Sequence, residues 1–439
     1  MTTTPKPISP RHHPFDVLIP AAEVERSVGI EWYATRGLSC QARAKSKPED
    51  FVVREQAELG EVSAEARTGY FPLYRIEKGS IDTVHMAEEL SQALRSRVSY
   101  GGMKDKRARA VQYATPTSGR SERPPQVVGE RFTATLVGYV PTPMHRGAVR
   151  GNTFSVTLRG CCPEIRARIE DAALMARKRL LPNFYGLQRF GVWGAGTHMV
   201  GRALVKRDFE GAVRLLLFAE HPSDGDRTRA AREALSAGRY EEGSRLLPEG
   251  RDVEKRVARE LERHPADWVK ALRAAPVKLR RLYVQALQSE VFNRSLSRAL
   301  ERGEDIASVK QGDNWAEAKG DGLATSRVMG VRDQPTPEAV PMVQVVGYAF
   351  RDYGSRFDAC VKAVLAEEDL SPREFYVQEM QEVSSEGGFR RPHLALLEPS
   401  WRVTGETATL GFTLGRGQYA TVFLREVMKP ADPLAAGLA

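Results

Sequence analysis

The sequence predicts an α+β protein: a mixed, mostly antiparallel sheet with flanking helices, interrupted by an inserted helix-rich block. Three observations carry this reading. Residues 132–137 and 154–159 alternate apolar and polar side chains, the period of strands with one buried face. Residues 195–300 are charged and helix-patterned, with breaks at Pro222 and Pro248. After about residue 340, strand-like patterning returns at 342–346, 408–413 and 419–424. Sheet, helical block, sheet is the order left when one domain is inserted into another.

Taken in order, residues 1–15 read as a flexible tail. Residues 43–55 read as two short strand pieces about the turn at Pro48, Glu49 and Asp50. A helix is expected over 82–95, capped by Asp82 or Thr83, with Met86, Leu90, Ala93 and Leu94 recurring on one face. A turn and strand follow at 101–112, then a polar Pro-rich loop at 116–126. Helical spacing resumes at 163–179, and 287–300 forms one amphipathic helix. The predicted units are 16–190 and 391–430 for the sheet domain, the latter part as strands, with 191–390 inserted and 431–439 a second tail.

With 439 residues the chain can bury an ample core. A hydrophobic content of 41% and a charged content of 28% describe a soluble globular protein. Lys and Arg number 65 against 56 for Asp and Glu, a net charge of +9 that is compatible with a phosphate-bearing partner without demanding one. Cys40, Cys161, Cys162 and Cys360 form no Cys-x-x-Cys pair. All four read as reduced thiols in a reducing cytoplasm. The eight histidines show no metal-ligand spacing, so no metal is expected. No apolar run approaches the roughly 20 residues that span a bilayer, and the Thr- and Pro-rich start lacks the apolar core of a signal peptide.

The densest chemistry lies between Tyr100 and Gln112. Asp105 follows Gly101 and Gly102 and is flanked by Lys104, Lys106, Arg107 and Arg109. Four cations compensate one carboxylate and would draw a polyanion toward it; a solvated surface turn with ion pairs would read the same way. The passage resembles the signature of the TruD family of pseudouridine synthases. Gly102, Lys104, Asp105, Lys106, Ala108 and Gln112 fall in register, and Ala110 stands where the family has Thr. Further matches follow along nearly the whole chain: Lys45 before the run Pro48 to Phe51, Gly151 to Phe154, Pro182 to Gly191, Gln288 to Asn293, and Gly417 to Glu426, with Gln418 in place of Ser.

The resemblance implies the pseudouridine-synthase catalytic fold, interrupted by the domain peculiar to TruD proteins. It implies Asp105 as the catalytic residue, either capturing C1′ of the ribose or assisting a glycal intermediate. It puts Lys45 in the active site, where it could pair with that carboxylate or with a substrate phosphate. Phe154 is the candidate stacking face for the displaced uracil; a core Phe is the alternative. Asn152 could bond the carboxylate, the base edge, or neither, as a turn residue. Arg189 is read as a phosphate contact or an internal ion-pair partner. Lys45, Lys104, Lys106, Arg107, Arg109 and Arg189 are expected to supply the phosphate contacts.

The expected function is conversion of uridine to pseudouridine in tRNA, which the family implies at position 13, by a monomer using no cofactor. The target uridine must be extruded from its stack. A synthase acting on another structured RNA, and a non-catalytic RNA-binding protein, are the alternatives. No dinucleotide-binding, phosphate-loop or nucleophile-elbow motif is present to support a different class of enzyme.

Overall fold

The computed structural model describes residues 15, 18–106, 108–117, 123–191, 196–220, 224–329 and 334–439. Two short strands, β1 (Ile19–Pro20) and β2 (Trp32–Tyr33), enclose helix α1 (Glu23–Arg26). Then come β3 (Phe51–Ala57), β4 (Phe71–Lys78), α2 (Thr83–Ala93), β5 (Val98–Tyr100), β6 (Arg109–Pro116), β7 (Gln126–Val128), β8 (Phe132–Val140), β9 (Val149–Arg159) and α3 (Ile165–Arg177). The middle of the chain supplies α4 (Gly196–Val205), α5 (Phe209–Leu217), α6 (Asp226–Ser236), α7 (Tyr240–Leu246), α8 (Asp252–Arg263), α9 (Trp268–Arg273) and α10 (Val277–Glu301). It continues with β10 (Asn314–Lys319), β11 (Ala324–Thr325), β12 (Ala339–Val345), α11 (Arg356–Glu367) and β13 (Gly388–Arg390). The chain closes with β14 (Leu396–Thr404), β15 (Thr407–Gly415) and α12 (Ala420–Met428).

Nine strands form one sheet in the order β14-β15-β9-β3-β6-β4-β8-β7, with β5 added beside β6. Only β3 and β6 run parallel among these pairs; the rest are antiparallel, so the mixed, mostly antiparallel α+β reading holds. Register places Phe51, Val53 and Glu55 of β3 on the same face as Asn152, Phe154 and Val156 of β9, Ala110 of β6, and Lys78 and Ile76 of β4. Helices cover this face in two parts. Met86, Leu90 and Leu94, from α2 and its end, pack on Tyr74, Ile76, Ala114 and Ala134. On the other half Ile165, Ile169, Phe423 and Val427 of α3 and α12 pack with Phe154, Leu158, Leu410 and Phe412. The turn carrying Asp105 lies between the two halves.

Several expectations need correction. Residues 419–424 are not a strand but the start of α12. Every residue of that helix is buried, so no polar face marks a 3.6-residue period, and a short apolar run reads equally as a strand. Strand β12 belongs to a separate four-stranded sheet, β11-β10-β12-β13, rather than to the main one. Cys40 and Cys162 are not free thiols but are bridged, with Cα atoms 5.6 Å apart across 122 residues of sequence. Cys161 and Cys360 are free and buried. A pairing over such a separation leaves no local spacing to read. The residues assigned to tails also pack: Phe15, Ala436 and Leu438 are core residues, while 1–14 lie outside the described residues. The helix expected at 287–300 begins ten residues earlier, as α10.

Candidate active site

The turn between β5 and β6 is held from below. At Gly101 an added Cβ would stand 2.2 Å from Val149 Cγ2 and 2.7 Å from Glu55 Oε1, so only a glycine lets the chain pass this close to the sheet. Lys104 N donates to Thr83 Oγ1 at 2.8 Å. Lys78, buried on β4, donates through Nζ to the carbonyls of Ile81 (2.7 Å), Lys104 (3.3 Å) and Asp105 (3.1 Å). Burial pushes this ammonium down from 10.5 to about 8, against the attraction of Asp105 and Asp82. The carbonyls are thereby gripped inside the fold while the Asp105 side chain, 43% exposed, projects outward.

Lys45 Nζ meets Asp105 Oδ2 at 3.1 Å, although the two are 60 residues apart. Lys45 adopts a left-handed backbone conformation (φ 56°) with its side chain only 4% exposed. Its ammonium also donates to the main-chain oxygen of Ala439 at 3.0 Å and lies 5.0 Å from the centre of the Phe51 ring. The run around Pro48 explains how Lys45 is placed. Asp50 accepts from Lys47 N at 2.9 Å and takes a bidentate grip from Arg159 on the end of β9, which holds its carboxyl below the usual carboxylate range.

Phe154 is 8% exposed, stacked on Phe412 at 5.4 Å and edge-on to Phe51 at 5.9 Å. It is a packed member of an aromatic row whose Phe51 end reaches the Lys45 ammonium. Asn152, one step along the same face, is half-buried, and its Oδ1 has no hydrogen-bond partner among the described residues. Ala110, where the family has Thr, is buried between Val53 and Lys78 in the register of the sheet.

One expected phosphate contact is turned inward. Lys104 is a correction: its side chain is 6% exposed and its Nζ lies 3.1 Å from buried Glu55, so it is not offered to a polyanion. Arg189 is half-buried and donates from Nε to Ser289 Oγ at 3.2 Å, with its guanidinium 5.6 Å from the Tyr185 ring. Lys106 and Arg109 are exposed beside the turn; Arg107 lies outside the described residues. The run Pro182 to Gly191 is held by residues far along the chain. Asn293 of α10 binds Tyr185 N and O at 2.8 and 3.0 Å, and Arg390 stacks 4.1 Å over Tyr185 while donating to Asn183 Oδ1 at 2.7 Å. Gln418 accepts from Ala395 N at 2.9 Å. Sequence reading passed over Glu55, Lys78, Phe51 and Arg390. For Glu55 and Lys78 a signal existed: both are charged residues in phase with the buried face of their strands.

A turn-borne carboxylate paired with a lysine, above an aromatic row in the middle of an open sheet, can act on a sugar carbon beside a held base. Over residues 27–427 the chain matches the family model described as tRNA pseudouridine synthase D (TruD). It is 34% identical over 432 residues to a probable tRNA pseudouridine synthase D of Pyrobaculum neutrophilum, covering 96% of this chain and all of that protein. A protein of the same description from Methanopyrus kandleri is 31% identical over 371 residues, covering 82% and 86% of the two chains. A crystal structure from Methanosarcina mazei that carries the TruD name superposes with a TM-score of 0.74 and 25% identity, covering 94% of this chain and 99% of that one. The class is therefore that of the pseudouridine synthases, isomerases that need no second substrate. Within it, the chain belongs to the TruD family of tRNA pseudouridine synthases. Among the described residues no helix is long and apolar enough to cross a membrane, and no cluster of potential metal ligands occurs.

Proposed function

We propose that this protein converts one uridine of tRNA, at the family's position 13, to pseudouridine, and that Asp105 is its catalytic residue. The observation that carries the reading is the Lys45–Asp105 contact at 3.1 Å, made across 60 residues of sequence at the centre of the sheet face. The reaction breaks N1–C1′ and joins C5 to C1′; the C5 proton is lost and N1 gains one, so no atom is supplied by a cofactor. Asp105 acts on the ribose, and the Lys45 ammonium fixes the carboxylate and compensates its charge. Asn152, Phe154 and Phe51 line the base subsite, where stacking contributes about 1–3 kcal/mol per base toward the cost of extrusion. The segment 191–390 is proposed as the second wall of the RNA cleft. In support, Arg150 of β9 pairs with Asp321, and Arg391 donates to Gly322 O at 2.7 Å.

The experiment is release of tritium from tRNA transcripts labelled at C5 of uridine, with mapping of the product position. Wild-type protein should form one pseudouridine per tRNA. Asp105→Asn should form none while binding tRNA within several-fold of wild type. Turnover by Asp105→Asn would refute the catalytic assignment, and binding without turnover by wild type would favour an RNA-binding protein on the same scaffold.

A further inference from the structure

Beneath the turn that presents Asp105 lies a second carboxylate. Glu55 of β3 is fully enclosed, its side chain 0% exposed, with Oε2 3.1 Å from Lys104 Nζ. The approach is outside hydrogen-bonding geometry, and among the described residues neither oxygen of Glu55 has another partner. Gly101 seals it from above. Burial pushes the Glu55 carboxyl up from its ordinary value, against the pull of Lys104.

We infer that Glu55 is a positioning residue: its buried carboxylate anchors Lys104, and with it the turn bearing Asp105. This rests on the function proposed above. It adds the buried element that fixes where the catalytic turn stands over the sheet.

The test compares Glu55→Gln, Lys104→Met, Lys104→Arg and the double variant Glu55→Gln/Lys104→Met with wild type and Asp105→Asn. It uses tritium release for kcat and KM, filter binding for tRNA affinity, and thermal unfolding. Glu55→Gln should lower kcat 10- to 100-fold with KM and affinity within threefold. The double variant should fall no further than the worse single variant, and Lys104→Arg should recover at least tenfold over Lys104→Met. A folded Glu55→Gln with kcat within twofold of wild type overturns the inference. So does a loss that disappears when the assay is run at a temperature lowered to match the lost stability. If Glu55→Gln does not fold, Lys104→Met decides, and unchanged kcat there overturns the inference equally. Inactive wild type or active Asp105→Asn strikes the proposed function instead, so the two failures are distinguishable.

Discussion

Replacing Lys78 by Met removes the ammonium that holds three carbonyls of the catalytic turn and leaves the side-chain volume nearly unchanged. Bonds from a charged donor contribute roughly 1.5–3 kcal/mol each, and Lys78 makes three, to Ile81, Lys104 and Asp105. Against this stands the cost of burying the charge: a pKa lowered from 10.5 to about 8 corresponds to about 3 kcal/mol. The net loss for Lys78→Met is therefore about 1.5–6 kcal/mol, concentrated in the turn. Urea unfolding should show that loss, and kcat should fall at least tenfold with tRNA affinity little changed. The pH dependence gives a sharper check. The folded pKa lies below the unfolded one, so from about pH 8 to 10.5 the unfolded chain binds the extra proton and stability rises with pH. Activity should fall around pH 8, the folded value alone, because a neutral amine has two N–H groups for three carbonyls. Lys429, also lowered to about 8 by burial, adds to the stability slope but not to the activity slope. If Lys78→Met keeps kcat within twofold and stability within about 0.5 kcal/mol, a size ordinary for surface changes, the clamp is refuted.

Gly101→Ala must displace Val149 or Glu55, and overpacking of this kind costs about 1–3 kcal/mol; kcat should fall more than affinity, and an unaffected kcat would show that the turn has slack. Phe154→Ala should destabilise by about 3–5 kcal/mol, since its ring packs against Phe51 and Phe412. A stability loss below about 1 kcal/mol with a large loss of kcat would instead make the ring chiefly a stacking platform. Lys106→Gln and Arg109→Gln should each reduce the salt dependence of tRNA binding by about one phosphate contact, whereas Lys104→Gln should not; a drop for Lys104→Gln would mean that its side chain leaves Glu55 in the complex. Thiol titration in denaturant without reductant should find two of the four cysteines, and four would refute the Cys40–Cys162 bridge.

What was legible in the sequence followed from exposure contrast. Helix α2 and strands β8 and β9 each have one wet and one dry face, so their periods are written in the residue pattern. Helix α12 has no wet face and read as a strand. The packing of residues 431–439 and the bridge between Cys40 and Cys162 depend on neighbours far away in sequence, where local pattern carries no information. In the site, Lys45 and Asp105 were paired by resemblance alone, since nothing in either segment points at the other.

The misreading of Lys104 has a more general cause. A run of cations looks like a polyanion surface when charges are only counted, yet a turn that crosses a sheet sends some side chains up and others down. Here Asp105 and Lys106 go up and Lys104 goes down to Glu55. The downward direction was foreshadowed in the strands, not in the turn. Phe51, Val53 and Glu55, and likewise Tyr74, Ile76 and Lys78, keep strict alternation on the buried face, so each strand ends its apolar series with a charge that water cannot reach. Opposite charges on two buried strands that β6 keeps apart cannot pair directly, and need partners brought to them. The turn between β5 and β6 brings Lys104 to Glu55 and its carbonyls to Lys78, and the same contacts fix where Asp105 emerges. Burial of charge and presentation of the carboxylate are thus one structural solution, which is why changes to the hidden pair should be felt at kcat before they are felt at tRNA binding.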